Sequence, residues 1–470
     1  MSIQKKLRFW SIIAALLLSA LTAAAQSNYV LTLPSTVDPD GFAVTHNLTL
    51  VKEIHSGNNC VYLVSSTSLN VSATETEVDT DLRVSGFEPE VVTHLPELNG
   101  LTQATLTQST SGILESLVGR TLVTFFGSTV PSNYLSQPAT SVTRLGDART
   151  ATNLTGAGVV AIIDTGVDPT HPALSAVLIP GFNFTTGTVD TSELNDLPAQ
   201  TAASLAQSTS GILEAQNVVV MNPATGAILD QSTSGILEGV APQEFGHGTM
   251  VAGVVHLVAP TAKIMPLKAF LSDGTSNLSD IINAIYYAAD NGANVISMSF
   301  SMPTASPALQ TAIQYALGKN VTVVAAAGND GVKALVYPAS FGGVAGVGST
   351  SNTDVRSTFS NYGSGVTMFA APGEGVITTY PGSNYAAAWG TSFSTPFVAG
   401  AATLVLQARP ASKPGDVANA LSKAKQISDM GYGRIDLYQA LTTLVGSSSG
   451  TSGTSGGSGT SGSTSGGPPQ

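Results

Sequence analysis

Between residues 131 and 445 the chain alternates short apolar runs with longer segments whose apolar residues recur at helical spacing. Short apolar runs bounded by turn residues predict strands that are buried on both faces of a sheet. The alternation predicts an α/β fold with a mainly parallel central sheet and helices on both faces. The predicted strands are Val159 to Asp164, Lys263 to Lys268, Asn294 to Met298, Val321 to Ala326 and Val344 to Val347, and the predicted helices are Gly248 to Val258, Leu278 to Asn291, Pro307 to Gly318, Thr395 to Gln407 and Pro414 to Lys423.

The N-terminus has the pattern of a secretory signal peptide. Basic residues at Lys5, Lys6 and Arg8 precede an apolar run from Trp10 to Leu21, and three alanines follow at positions 23–25. The apolar run is short for a bilayer span, so a membrane anchor is the weaker interpretation. We expect residues 1–25 to be removed on export, which makes the mature protein secreted, extracellular or periplasmic, without a membrane span.

Three further segments flank the α/β region. Residues 26–96 begin with a strand-like run and end with an apolar, acidic one, which predicts a small separate α+β module. Residues 97–130 are interpreted as a linker. Residues 446–470 are almost entirely Gly, Ser and Thr, a composition that cannot bury a core and predicts a flexible tail.

Composition narrows the classes of function. Hydrophobic residues make up 43% of the 470 residues, which is typical of a globular protein. The net charge is -12, and loss of residues 1–25 leaves 15 basic against 30 acidic residues, a net charge of -15. A chain this acidic is not expected to bind nucleic acid. Cys60 is the only cysteine, so an intramolecular disulfide is excluded, and we expect it to be a buried small apolar residue.

One octapeptide, QSTSGILE, occurs three times, starting at Gln108, Gln207 and Gln231. All three copies fall in segments that the pattern predicts to be exposed loops. A processing or recognition role and a copied element tolerated in loops both stay open, with the second favoured because surface insertions cost little stability.

Three motifs suggest nucleophilic catalysis: Asp164 in IIDTG, His247 in GHGT and Ser392 in GTS. A serine hydroxyl becomes a strong nucleophile when an imidazole takes its proton, and a buried carboxylate must hold that imidazole in the right tautomer. These residue types predict Ser392 as nucleophile, His247 as base and Asp164 as the orienting group. Each motif alone has an ordinary alternative, such as a turn aspartate or a serine helix cap.

The context of each residue supports its role. Asp164 ends a predicted strand, at the sheet edge where sites of α/β proteins gather. His247 begins a helix that is apolar nearly all round and should therefore be buried and rigid. Ser392 precedes a predicted helix with Pro396 in its first turn, where backbone amides stabilise negative charge. His256 should face the opposite side of its helix, and His171 is interpreted as a turn residue.

In their order and in the residues around them, these motifs resemble the subtilisin-like serine proteases, the subtilases. The resemblance covers roughly two thirds of the chain. It implies a subtilisin-like catalytic domain over residues 131–445, hydrolysis of peptide bonds in protein or peptide substrates, and a zymogen. Residues 26–96 would be the prosegment, which assists folding and inhibits the active site until it is cleaved, and residues 97–130 would be the processing region.

The resemblance also assigns residues around the triad. Asn329, in AAGND, matches the asparagine that donates to the oxyanion. The expected substrate-binding residues are Ser299, Phe300, Ser301, Met302, Ala327 and Gly328.

This sequence departs from the family pattern in three places. Phe393 stands where many members have methionine, and Ser301 and Met302 stand where glycines are usual. Side chains at positions 301 and 302 would enter the space expected for substrate, so we expect a different or narrower specificity.

The proposed chemistry requires no cofactor. Family members often bind calcium, but Asp273 and Asp280 flank a loop without a recognisable ligand spacing, so structural calcium and the metal ligands stay open.

The sequence thus predicts a secreted serine endopeptidase with an Asp-His-Ser triad. Two alternatives stay open: a protease that processes only itself, because its prosegment stays in a narrowed pocket, and a noncatalytic surface or binding protein on a subtilase scaffold.

Overall fold

A computed structural model describes residues 27–68, 70–95, 121–199 and 244–446, and the backbone of residues 218–220. The predicted signal peptide, the three octapeptide copies and nearly all of the predicted tail lie outside these residues. No helix in the described ranges is long and apolar enough to cross a membrane.

A nine-stranded sheet forms the centre of the molecule. Its strands run parallel except at one edge, where the two strands that come last in the sequence pair antiparallel. In spatial order the strands are β19 (Ala424–Lys425), β20 (Arg434–Ile435), β16 (Phe369–Pro372), β15 (Ala345–Thr350), β14 (Thr322–Ala326), β13 (Val295–Met298), β8 (Val159–Asp164), β11 (Lys263–Lys268) and β9 (Phe182–Asn183).

Both faces of this sheet are covered, as its apolar strands require. In β8, Val160 and Ile162 belong to one core cluster, whereas Ala161 and Ile163 belong to the cluster on the other face. Two helices cover this second face: α7 (Leu278–Asp290) and α8 (Pro307–Gly318). The helices of the first cluster are α3 (Ser132–Leu135), α4 (Pro138–Val142), α5 (Leu145–Thr152), α6 (His247–Val258), α9 (Thr391–Ala408), α10 (Pro414–Leu421) and α11 (Leu437–Gly446).

Smaller sheets surround this core. The strand β10 (Val218–Val220) pairs with β18 (Asn384–Ala388), which pairs in turn with β17 (Val376–Tyr380). The hairpin of β6 (Leu122–Phe125) and β7 (Ser128–Pro131) packs on the first cluster through Phe125 and Val130. Residues 122–130, at the end of the predicted linker, therefore pack as part of the α/β region.

The N-terminal segment is a small α+β module, as predicted. Four antiparallel strands pack against two helices around a core that contains Tyr29 and Phe42, and Cys60 is buried there. A short fifth strand leaves the module and pairs with the strand β12 (Thr275–Asn277). The elements are β1 (Ser27–Pro34), α1 (Pro39–Thr45), β2 (Leu48–His55), β3 (Asn59–Ser66), α2 (Val71–Asp79), β4 (Gly86–Pro89) and β5 (Val92–His94).

All the predicted strands and helices of the α/β region are confirmed, most with bounds within one or two residues. The largest differences are at α9 and β15. The helix α9 begins at Thr391 rather than Thr395, so Pro396 lies inside the helix and Ser392 in its first turn. The strand β15 continues to Thr350, three residues beyond the predicted end.

Candidate active site

The strand β8 brings Asp164 to the carboxyl edge of the sheet. The side chain is buried, and its Oδ1 accepts a hydrogen bond from the Thr165 amide at 2.8 Å. Its other oxygen, Oδ2, has no hydrogen-bond partner among the described residues. A carboxylate held this way is fixed in orientation, with Oδ1 available to an imidazole.

His247 is the first residue of α6 and faces Asp164. Its Nδ1 lies 2.7 Å from Asp164 Oδ1, and the imidazole is buried. This contact fixes the tautomer with a proton on Nδ1 and leaves Nε2 as the basic nitrogen. A Cβ at Gly248 would collide with the Gly166 carbonyl oxygen, so glycine at this position allows α6 to approach the aspartate turn.

The charges around His247 favour its protonated form. Burial lowers the pKa of this imidazole, but the charge and hydrogen bond of Asp164, with the charges of Glu244 and Glu193, raise it above its ordinary value. The imidazole is therefore a stronger base than an isolated histidine.

Ser392 lies in the first turn of α9, where backbone N–H groups have no partner within the helix. Its hydroxyl donates to the Ser299 carbonyl oxygen at 3.0 Å, and the Ser299 hydroxyl donates to the Ser392 carbonyl oxygen at 2.9 Å. The ring of the next residue, Phe393, lies 5.5 Å from the His247 ring between centroids. The nucleophile candidate and the base candidate thus belong to adjoining helix ends.

Asn329 follows β14 and approaches the start of α9. Its Oδ1 accepts hydrogen bonds from the backbone amide and the hydroxyl of Thr391, both at 2.9 Å. These bonds orient the amide group, and its Nδ2 lies 3.4 Å from the place that a Cβ on Gly390 would occupy. The amide donor is therefore directed to the turn that precedes Ser392.

The segments expected to bind substrate lie on either side of this turn. Ser301 and Gly328 face each other, because a Cβ on Gly328 would lie 3.2 Å from Ser301 Oγ. Met302 instead packs in the second core cluster, and its backbone forms two hydrogen bonds with Tyr337. The Met302 side chain is therefore part of the core, and Ser301 is the substituted side chain that faces Gly328.

The remaining expected wall residues are buried. Phe300 packs on Phe270 with ring centroids 5.1 Å apart, and the Ala327 amide donates to the Val347 carbonyl oxygen.

The other two buried histidines of the α/β region do not join the site. His171 contacts the backbone of Asn384 and Ala173 through its two ring nitrogens, and burial lowers its pKa to about 4. His256 packs edge-on against Phe125 on the far side of α6. Both observations agree with the structural roles expected for these residues.

The sequence reasoning missed Glu193, a fully buried carboxylate that contacts residues next to both Asp164 and His247. It stands in the 83-residue interval between the two motifs, where no periodic pattern marks a buried position. Nothing in the sequence distinguished Glu193 from the acidic residues Asp168 and Asp190, which stand nearer to the IIDTG motif.

The loop considered for calcium does not fit a cation. Asp273 accepts hydrogen bonds from Thr275, and Asp280 lies 3.7 Å from Lys52 Nζ. In the ranges that the structure describes, no three His, Cys, Asp or Glu side chains are grouped to hold a metal ion.

Comparisons with known proteins agree with this geometry. A sequence model of the subtilase family matches residues 156–436, more than half of the chain. The thermophilic serine proteinase of Bacillus sp. (strain AK1) is 34% identical over 288 residues, which are 60% of this chain and 61% of that protein. Thermitase of Thermoactinomyces vulgaris is 36% identical over 288 residues, which are 60% of this chain and 88% of thermitase.

A solved structure of proteases from Pseudoalteromonas arctica PAMC 21717 is also similar, with a TM-score of 0.51 and 28% identity. The similarity covers 64% of this chain and 93% of that one. The chain spans less than two thirds of the length of the thermophilic serine proteinase. The region matched by the family model contains Asp164, His247, Asn329 and Ser392. Since the family model covers most of the central sheet and the site that it carries, the chain belongs to the subtilase family.

Proposed function

We propose that this protein is a secreted serine endopeptidase that acts on protein or peptide substrates. The observation that carries the proposal is the buried contact of 2.7 Å between His247 Nδ1 and Asp164 Oδ1. The helix end that carries Ser392 approaches this pair through Phe393. This combination supplies a base with a defined tautomer and a nucleophile at a helix N-terminus, where the helix dipole favours negative charge.

In the proposed reaction the Ser392 hydroxyl attacks the carbonyl carbon of the scissile peptide bond, and His247 Nε2 accepts its proton. Asp164 orients the imidazole and stabilises its positive charge. The imidazolium then donates that proton to the leaving amine as the C–N bond breaks, which leaves an acyl ester on Ser392. Water attacks this ester with His247 again as base, which releases the acid and regenerates the serine.

The oxyanion of each tetrahedral intermediate would be bound by Asn329 Nδ2 and the Ser392 backbone N–H. The support is that Thr391 holds the Asn329 carbonyl oxygen through two hydrogen bonds, and this orients the amide group toward the turn that precedes Ser392. Because these groups perform proton transfer and charge stabilisation together, the chemistry needs no cofactor.

The N-terminal module is proposed to act as an inhibitory prosegment. Glu88 accepts hydrogen bonds from Ser306 Oγ and the Ala308 amide at the start of α8, at 3.0 and 2.7 Å. Glu90 accepts from the Ser279 amide at the start of α7, at 3.0 Å. These carboxylates cap two helices of the catalytic domain, an arrangement that the N-terminal helix charge favours.

The chain that leaves the module then pairs with β12. The strand β5 runs antiparallel to it, and the Leu95 amide donates to the Gly274 carbonyl oxygen at 2.9 Å. A segment that forms a strand with the protease domain in this way is held as a peptide substrate would be, which supports inhibition until the connection is cut.

The test is to incubate the secreted wild-type protein and its Ser392→Ala variant with an unfolded protein substrate and to identify new peptide ends by mass spectrometry. We expect cleavage by the wild type alone. Trimming of the wild-type N-terminus without cleavage of the added substrate would instead indicate a self-processing protease. No cleavage of either kind would favour the binding protein on a subtilase scaffold.

A further inference from the structure

Glu193 lies in a 3₁₀ turn, Glu193–Asp196, and its side chain is fully buried beside the proposed catalytic pair. One carboxylate oxygen accepts from the Thr165 hydroxyl and from the Gly248 amide at 3.2 Å. The other accepts from the hydroxyl and the amide of Thr249, the amide at 3.2 Å. Its partners are therefore the residue after Asp164 and the two residues after His247.

The contacts with α6 replace a missing helix cap. The N-cap position is Gly246, which has no side chain to accept from the first amides of the helix. The Gly248 and Thr249 amides donate to Glu193 instead, so a distant carboxylate caps the helix that begins with the proposed base. A negative charge at this end also suits the helix dipole.

The contact with Thr165 fixes the other half of the pair. The Thr165 hydroxyl accepts from the Gly248 amide at 3.0 Å and donates to Glu193, so it links the aspartate turn to α6. Burial raises the pKa of Glu193 to about 7, and the four N–H or O–H donors that converge on its two oxygens favour the ionised carboxylate.

The turn that carries Glu193 is itself fastened to the aspartate loop. The Val167 amide donates to the Thr191 carbonyl oxygen at 3.0 Å. Lys268 Nζ lies 2.7 Å from Asp196 Oδ2 and also donates to the Thr165 carbonyl oxygen. The turn that carries Glu193 is thus held firmly against the loop that follows Asp164.

We propose that Glu193 is a positioning residue that holds the Asp164 turn and the start of α6 in register, so that the aspartate–imidazole hydrogen bond is kept. This inference rests on the proposed hydrolysis by Ser392. Glu193 touches neither substrate nor reacting atoms, so its effect passes through Thr165, Gly248 and Thr249.

The proposal predicts a particular kinetic pattern for Glu193→Gln, which keeps the size of the side chain but replaces one acceptor oxygen by an amide donor. That NH₂ group would face the N–H and O–H donors that now bind Glu193, so the Asp164 turn and the start of α6 should be held less firmly relative to each other. We expect kcat per titrated active site to fall by about 10- to 100-fold, as for a misplacement near 1 Å, with KM within about twofold.

A second readout separates this role from general stability. The charges that face His247 come from Asp164, Glu193 and Glu244, and each raises its pKa. Loss of the Glu193 charge should move the acid limb of the kcat/KM profile to lower pH. The comparison variant Glu244→Gln removes another charge that raises the pKa of His247, so it should also move this limb to lower pH.

Active sites are counted with a fluorophosphonate before each assay. A Glu193→Gln enzyme with wild-type kcat and an unmoved acid limb would overturn the inference while the proposed function stands. A wild-type protein that neither reacts with the probe nor hydrolyses peptides would instead refute the proposed function.

If Glu193→Gln does not fold, Thr249→Val and Thr249→Ser decide the question. At nearly constant volume, the valine variant removes the hydroxyl that donates to Glu193 and accepts from the Asp168 amide, and the serine variant keeps both bonds. We expect kcat to fall by about 3- to 10-fold in the valine variant and to recover with serine. Equal activity of the two variants would overturn the inference.

Discussion

Ser392 and Ser299 exchange two hydrogen bonds, each from the hydroxyl of one residue to the carbonyl oxygen of the other, at 3.0 and 2.9 Å. The exchange has a cause in the sequence. Pro396 has no N–H to donate to the Ser392 carbonyl oxygen four residues earlier, so that buried acceptor would be unpaired inside α9. Ser299, which follows β13, supplies the missing donor and thereby joins the sheet to the turn that carries the proposed nucleophile.

We predict that Ser299→Ala lowers the free energy of unfolding by about 1–3 kcal/mol, because the Ser392 carbonyl oxygen loses its donor. The measurement is chemical denaturation in a Ser392→Ala background, where self-digestion is prevented. The control is Ser297→Ala on β13: the Ser297 hydroxyl is buried without a hydrogen-bond partner among the described residues. Equal effects of the two substitutions would contradict this account.

Asn329→Ala should lower kcat by about 100- to 1,000-fold with little change in KM, because the amide donor acts on the oxyanion rather than on the bound substrate. Thr391→Val should produce a smaller loss in kcat, since it removes only one of the two donors that orient Asn329. Steady-state kinetics on a fluorogenic peptide measure both. An Asn329→Ala enzyme with unchanged kcat would exclude this residue from the oxyanion site.

Activity should depend on pH through His247. The proposed base must be neutral, and its pKa is raised above the ordinary value of 6.5 by Asp164, Glu244 and Glu193 acting against burial. The acid limb of kcat/KM should therefore have its midpoint above pH 6.5, with activity lost as the pH falls through that midpoint and the imidazole gains a proton. A midpoint below 6.5 would show that these charges do not control the base.

Inhibition by the N-terminal module should weaken when its helix-capping carboxylates are neutralised. The double variant Glu88→Gln, Glu90→Gln should react with a fluorophosphonate at least about tenfold faster during maturation, because hydrogen bonds to charged groups contribute about 1.5–3 kcal/mol each. The control is Glu77→Gln, whose carboxylate is exposed and contacts His46 within the module. Equal labelling rates in all three proteins would argue against docking through these residues.

The sequence predicted the fold well where burial imposes a pattern. The strands β8 and β11 have the predicted bounds because strands buried on both faces are continuous apolar runs that end in polar turns. The predicted start of α9 was wrong because Asn329, which lies in a distant loop, caps the first turn of this helix. No residue next to the helix in the sequence indicates this cap.

The same limit applies to the site. Asp164, His247 and Ser392 stand in recognisable motifs, whereas the contacts of Glu193 depend on how a loop folds back under two of those motifs. The burial of Met302 could not be predicted from the sequence pattern either, because it follows from the backbone pairing of this residue with Tyr337.

The most direct test of the central claim is intact-mass analysis of the protein and its Ser392→Ala variant after exposure to a fluorophosphonate. We predict one adduct on the wild type, on Ser392, together with a shortened N-terminus, and neither change in the variant. A wild-type protein that stays unlabelled across the pH range, or a variant that is labelled as readily as the wild type, would contradict the assignment of Ser392 as an activated nucleophile.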